Sequence, residues 1–108
     1  MSYITINNEF QTNDIHEALN HIDEQLKHSN LQEMHFKFQN GTIKEAGENG
    51  LQWYELVKIS LTILQNFNAN LPCEENAITI TKLKEALMWQ NERTRERSSR
   101  GVEGYLQK

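Results

Sequence analysis

PCEENAITITKLKEALMWQNERTRERSSRG, residues 72–101, is the stretch that decides the fold. Pro72 and two glutamates open it, as the start of a helix prefers. Its apolar stripe then follows at helical spacing: Ala77, Ile80, Leu83 and Leu87. After Trp89 no apolar residue follows for eleven positions, yet glutamine, glutamate and arginine keep the helix favourable to about Arg97. Gly101 suits the position after a helix end. We therefore expect one helix whose last turns extend beyond their own hydrophobic support.

Two further helices are predicted upstream of this one. Residues 51–67 carry apolar side chains on more than one side, which is typical of a buried helix. Nearer the N-terminus, Thr12, Asn13 and Asp14 form a helix-capping cluster, and apolar residues at helical spacing follow it to about Lys27. The sequence therefore predicts an N-terminal helix and two long C-terminal helices.

Short strands are predicted before and between these helices. Residues 3–6 alternate β-forming side chains, and Met34, Phe36 and Phe38 alternate with polar residues. The Asn40-Gly41 pair that follows is typical of a hairpin turn, so we expect residues 42–45 to be the return strand. The predicted fold class is α+β, with a small antiparallel sheet or hairpin, and 108 residues have the size of a single domain.

Composition excludes several classes of function. A formal net charge of -4 argues against bulk binding of nucleic acid or of an acidic membrane. No apolar run is long enough to span a membrane, and the N-terminus does not have the pattern of a signal peptide. Cys73 is the one cysteine; we expect it to be buried at a helix start, and a reducing cytoplasm fits.

Neither a metal site nor a catalytic site is predicted. The four histidines are not at metal-binding spacing, and a single cysteine does not build a zinc site. No serine or cysteine lies in a recognisable nucleophile motif, so we expect a protein without cofactor that is not an enzyme. Among the aromatic residues, Trp53, Tyr54 and Trp89 are expected in the core, whereas Phe67, at a helix end, is expected to stack on an adenine.

The arginines point to a binding site. All four lie within eight residues: Arg93, Arg95, Arg97 and Arg100. Their planar guanidinium groups grip phosphate or carboxylate at two points, unlike the lysines used elsewhere. Positions 93, 97 and 100 share a helix face, and Arg95 points elsewhere. A solvated helix end with glutamate pairing is the alternative. The restriction of arginine to this segment favours a small phosphate-bearing ligand.

Five stretches carry a resemblance to a known family. They are 38–45 (FQNGTIKE), 73–77 (CEENA), 83–89 (LKEALMW), 93–97 (RTRER) and 100–104 (RGVEG). Together they resemble the phage anti-Thoeris signal sponges, the first type of Thoeris anti-defence protein. The resemblance covers roughly residues 34–104 as a ligand-sequestering core. It does not cover residues 1–30, the N-terminal strand and helix, whose role the sequence does not indicate.

The resemblance implies a function and a set of binding residues. Members of that family have a small antiparallel sheet and two long helices, and they bind cyclic ADP-ribose isomers made by bacterial TIR-domain proteins without cleaving them. Some also hold cyclic oligonucleotides at a separate site. The implied location is the cytoplasm of an infected bacterial host. Carried onto this chain, the ligand-binding residues are Arg93, Arg97, Asn76 and Phe67. Lys44, just after the Asn40-Gly41 turn, is a candidate for a second anion site together with Gly41.

Helix geometry adds an expectation about assembly. Asn76 and Arg93 are 17 residues apart, which is about 25 Å along one continuous helix. A compact nucleotide does not bridge that distance, so two residues that hold one ligand must come from different subunits. We expect a homodimer with antiparallel C-terminal helices, and leave open a hexamer built as a trimer of dimers. The alternative function is a small phage regulator whose arginine-rich helix binds a host protein or nucleic acid.

Overall fold

The computed structural model describes residues 2–101 and confirms the α+β class. Its elements, in chain order, are β1 (Ile4–Ile6), β2 (Phe10–Thr12), α1 (Ile15–Lys27), β3 (Met34–Phe36), α2 (Ile43–Ala46), α3 (Trp53–Asn70) and α4 (Glu74–Ser99). The strands form one antiparallel sheet in the order β2-β1-β3. The N-terminal helix and both long C-terminal helices lie close to their predicted bounds.

The hairpin of the sheet lies at the N-terminus rather than at Asn40-Gly41. β1 and β2 are joined through Asn7 and Asn8, whose φ angles are 54° and 57°. The amide of Glu9 donates to the carbonyl of Ile6 at 3.1 Å, which closes a tight turn. Two consecutive left-handed residues are what the centre of a type I′ turn requires, and asparagine tolerates that conformation better than most residues. β2 was not predicted because the turn contains no glycine.

The predicted return strand at residues 42–45 is wrong. Ile43–Ala46 is the short helix α2, and the antiparallel partner of β3 is β1, with Ile4 opposite Phe36. Beyond β3, Phe38 instead forms a parallel bridge with Leu51. The residues between this pair, 39–50, form a connection that contains α2 and is called here the 39–50 loop. The edge of β3 at which a return strand would pair is occupied by β1, near the N-terminus of the chain.

Side-chain amides close the 39–50 loop into a ring. Gln39 accepts from the Asn49 backbone amide at 2.9 Å and donates to the Gly47 carbonyl at 2.7 Å. Asn49 in turn accepts from the Asn40 amide at 2.7 Å and donates to the Asn40 carbonyl at 2.9 Å. A Cβ atom at Gly50 would lie 2.2 Å from the Phe38 carbonyl carbon, so the ring closes only on a glycine.

The core is assembled mostly by the N-terminal residues. The buried apolar side chains of the described residues are Ile4, Ile6, Ala18, Ile22, Leu51 and Ile59. Four of these six precede residue 30. α1 packs along α3, where the Asn66 side chain donates to Asp23 at 2.7 Å. The segment whose role the sequence left open therefore supplies the hydrophobic support of α3.

α4 packs against α3 without a buried apolar residue in its described length. Ile80, Leu83 and Leu87 of the apolar stripe are half-buried, and Ala77 is exposed. The helix extends beyond its apolar stripe as expected, but Arg97 in that extension is only 3% exposed, so the last turns are packed at that residue. The helix ends before Gly101, whose φ of +74° confirms the predicted stop.

Three residues expected to be buried are exposed. Trp53 is 59% and Trp89 is 72% exposed, because each lies on a helix face directed away from the core. Cys73 is also exposed. It caps α4, its sulfur accepting from the Asn76 amide at 3.4 Å. The thiol takes the place that a serine hydroxyl often occupies at a helix start.

Candidate functional site

A cleft of about 380 Å³ lies between the last turns of α4, the first turn of α3 and the start of α2. Its position follows from the short connection between α3 and α4, which folds them into a helical hairpin and brings the end of one beside the start of the other. The residues that line it are Gly41, Thr42, Ile43, Gln52, Trp53, Tyr54, Gln90, Arg93, Thr94 and Arg97. Its volume suits a small-molecule site.

Two of the four arginines lie in the cleft. Arg93 and Arg97 are one helical turn apart on α4, Arg93 exposed and Arg97 buried. The structure therefore brings together the two residues that the sequence ranked first as phosphate ligands. A guanidinium held between packed helices is screened less by water than one at the surface, so it attracts an anion more strongly.

The other two arginines are paired along their own helix. Arg95 meets Glu92 through two hydrogen bonds, Nε to Oε2 at 3.1 Å and Nη2 to Oε1 at 2.5 Å. This contact raises the pKa of Arg95 and lowers the pKa of Glu92. Arg100 Nε lies 2.6 Å from Glu96 Oε1. The cluster is thus divided into a pair facing the cleft and a pair neutralised by acidic neighbours.

Comparison with known proteins identifies the helical hairpin that carries the cleft. The family model of the Acb2/Tad1 hairpin domain matches residues 30–95, more than half of the chain. The chain belongs to the Acb2/Tad1 hairpin-domain family. This confirms the resemblance seen in the sequence, and the match runs from before β3 through most of α4.

A curated relative of this Acb2/Tad1 hairpin domain comes from a bacteriophage. It is the protein named Thoeris anti-defense 1 of Bacillus phage SBSphiJ7, and it is 51% identical over 72 residues. The aligned part is 66% of this chain and 51% of the relative. The chain thus spans about half the length of that curated relative.

Gly41, one of the two residues of the predicted second anion site, lies in the arginine cleft. Its φ is +83°, and a Cβ atom there would lie 2.9 Å from Cβ of Ala46. Lys44 lies exposed on α2, outside the cleft lining. Gly41 of the predicted second anion site therefore lies beside Arg93 and Arg97, whereas Lys44 does not line the cleft. A separate anion site at Gly41 and Lys44 stays a prediction.

Phe67 and Asn76 lie at the closed end of the hairpin, away from the arginines. Phe67 is 56% exposed in the last turns of α3, and Asn76 is half-buried in the first turn of α4. α4 runs without interruption from Glu74 to Ser99, so about 25 Å separates Asn76 from Arg93 along the helix. Within one chain the four predicted ligand residues form two groups.

The sequence analysis missed the aromatic side of the cleft. Trp53 and Tyr54 open α3, just after Gln52, whose side chain and that of Glu55 form a capping box. A signal was present, because the exposed Ser60 lies seven residues after Trp53 and so shares its helix face. A polar residue there indicates that Trp53 faces outward.

Other site chemistries find no support in the part of the chain that the structure describes. No group of three or more histidine, cysteine, aspartate or glutamate side chains could hold a metal ion among residues 2–101. No helix within that range is long and apolar enough to cross a membrane.

Proposed function

We propose that this protein binds and sequesters a cyclic nucleotide immune signal, and so protects a phage from host defence. The observation that carries the proposal is the placement of Arg93 and Arg97 together in a cleft of about 380 Å³. The signal class proposed is the glyco-cyclic ADP-ribose isomers made by TIR-domain proteins in the host cytoplasm, with cyclic oligonucleotides as a further class. The sequence similarity to a phage protein named Thoeris anti-defense 1 supports a role against this host defence.

Sequestration rather than hydrolysis is the proposed mode of action. Cleaving a phosphate or glycosidic bond needs a general acid and base or a metal ion in the site. The cleft is lined by arginine, amide, hydroxyl and aromatic side chains. Such groups hold an anion and a base by hydrogen bonds and stacking, and they leave the bound molecule intact.

We further propose that the cleft is completed by a second subunit. Antiparallel packing of two hairpins would bring Phe67 and Asn76 of one subunit over Arg93 and Arg97 of the other. One chain alone does not do this, since α4 is continuous between Asn76 and the two arginines. A homodimer with two shared sites is the smallest assembly that meets this need, and a trimer of such dimers is compatible with it.

Calorimetric titration of three arginine variants tests the proposal. With a glyco-cyclic ADP-ribose isomer as ligand, Arg93→Ala should cost about 2–4 kcal/mol of binding, because a charge-assisted contact to phosphate is lost. Arg97→Ala should cost a similar amount. Arg95→Ala is the matched control and should cost under about 1 kcal/mol, since Arg95 is exposed and paired with Glu92. Equal losses in all three variants would refute a site formed by one helix face.

The bound molecule itself separates sequestration from the other functions. The protein is incubated with signal, washed, and heat-denatured, and the supernatant is analysed by mass spectrometry. Unchanged signal supports sequestration, altered signal indicates an enzyme, and no signal rules out the proposal. The pairing of Arg95 and Arg100 with glutamates argues against the alternative of a regulator that binds nucleic acid, because it leaves fewer cations for a phosphate backbone.

A further inference from the structure

The arginine cleft has two chemically different walls. One wall is the α4 surface that carries Arg93, Thr94 and Arg97. The opposite wall carries two large apolar side chains that are unusually accessible, Trp53 at 59% and Ile43 at 44% exposed. A site for a bare anion would need only the first wall.

Trp53 is held in place although it is exposed. Its ring meets that of Tyr54 edge to face, with centroids 6.1 Å apart. Tyr54 is half-buried, and the Lys58 ammonium lies 5.7 Å from its ring centroid. Tyr54 is thus in contact with both Trp53 and Lys58 and serves as a support, whereas the indole of Trp53 keeps more than half of its surface accessible. A fixed, accessible indole beside two arginines is suited to stack a flat heterocycle.

We propose that Trp53 is a base-stacking residue of this cleft, supplied by the same chain as the arginines and additional to Phe67 of a second subunit, so that the site recognises a phosphate and a nucleobase together. The assignment rests on the proposed function, since it gives the arginine cleft a second recognition element. Arg93 and Arg97 hold the phosphate, and Trp53 covers one face of the base. Specificity for nucleotides over inorganic phosphates then comes from α3 rather than from α4.

The two tryptophans of the chain permit a direct optical test. Trp89 lies on the outer side of α4, 72% exposed, beside Met88 and between Glu85 and Glu92. Trp89→Phe leaves Trp53 as the one indole, and Trp53→Phe leaves Trp89. With excitation at about 295 nm, ADP-ribose should quench the Trp89→Phe protein in a saturable manner and leave the Trp53→Phe protein unchanged. Quenching confined to Trp89 overturns the assignment.

Affinity measurements separate this proposal from the one it rests on. Trp53→Ala should weaken ADP-ribose binding by roughly 10- to 100-fold, the usual range for a lost stacking contact, and leave pyrophosphate binding unchanged. Trp89→Ala should change neither. Thermal melts of both variants confirm that they fold.

Three contrary outcomes have distinct meanings. If Trp53→Ala weakens neither ligand while Arg93→Ala weakens both, the stacking role is wrong and the anion site stands. If Trp53→Ala weakens both ligands equally, Trp53 shapes the cleft without reading a base, and the assignment is again overturned. If neither ligand nor a cyclic ADP-ribose isomer binds the unaltered protein, the proposed function fails together with it.

Discussion

Helices α1 and α4 both pack against α3, but α1 buries apolar side chains and α4 buries a charged one. α1 contributes Ala18 and Ile22, each with no exposed surface, to a core shared with the sheet. α4, twice as long, contributes one buried side chain within its described length, and that side chain is Arg97. Burying a cation adds little to stability and often reduces it. The comparison indicates that α1 stabilises the fold, whereas α4 carries the proposed binding site, so substitutions on the two helices should have separable effects.

The largest expected effect is on the α1 side. Ile22→Ala should lower the free energy of unfolding by about 3–5 kcal/mol, because it opens a cavity in the core. Leu83→Ala on α4 is the matched test and should cost about 1–2 kcal/mol, since Leu83 is only half-buried. Urea unfolding followed by circular dichroism measures both values. Equal losses would show that α4 is as important to stability as α1.

A smaller effect is expected at Arg97, and here the structure changes the expectation. From the sequence, arginines beyond the apolar stripe would be replaceable without loss of stability. Because Arg97 is buried, Arg97→Ala should lower the free energy of unfolding of the ligand-free protein by about 1–3 kcal/mol, through lost packing of its side chain. Arg95→Ala should leave the melting temperature almost unchanged. A thermal melt that does not distinguish the two variants would contradict the burial of Arg97.

The smallest effect concerns the contact between α1 and α3. The hydrogen bond from Asn66, followed by that from Lys27, lowers the pKa of Asp23. A lowered pKa means that the stabilisation is present above the ordinary aspartate range and is lost as pH falls through the lowered value. The urea midpoint of Asp23→Asn should therefore lie below that of the unaltered protein at pH 7, and the difference should shrink as the pH falls below the ordinary aspartate pKa. Glu9→Gln, in an exposed turn, serves as the control, and a difference independent of pH would disprove the linkage.

The sequence predicted α1, α3 and α4 well because their residues carry local helix signals, whereas α2 was missed. Asp14 caps α1, Pro72 and the glutamates precede α4, and Gly101 ends it. These are signals within a few residues, and hydrophobic spacing fills in the rest.

The errors arose where long-range pairing decided the outcome. Asn40-Gly41 has the residues of a hairpin turn. The edge of β3 next to this turn pairs with β1, however, so the residues after Gly41 do not pair with β3 as a return strand. The burial of Arg97 and the exposure of Trp53 likewise depend on how α3 and α4 lie against each other. Arg93 and Arg97 could be selected from composition and from their spacing along α4. Their aromatic neighbour Trp53 lies on α3, and the spacing of residues along α4 gives no information about which α3 residue faces them.

The ring of amide hydrogen bonds in the 39–50 loop has a consequence for the speed of ligand capture. Gln39 and Asn49 hold the loop closed, and the Tyr3 hydroxyl anchors it to the N-terminal strand through the Glu48 carbonyl at 2.9 Å. The cleft wall at Gly41 to Ile43 therefore needs no ordering when a ligand arrives. Association without a conformational step proceeds at a rate set by diffusion and orientation, and differences in affinity then appear in dissociation. If the proposed sequestration holds, the protein must bind the signal before a host receptor does, so a fast association rate matters as much as a slow dissociation rate.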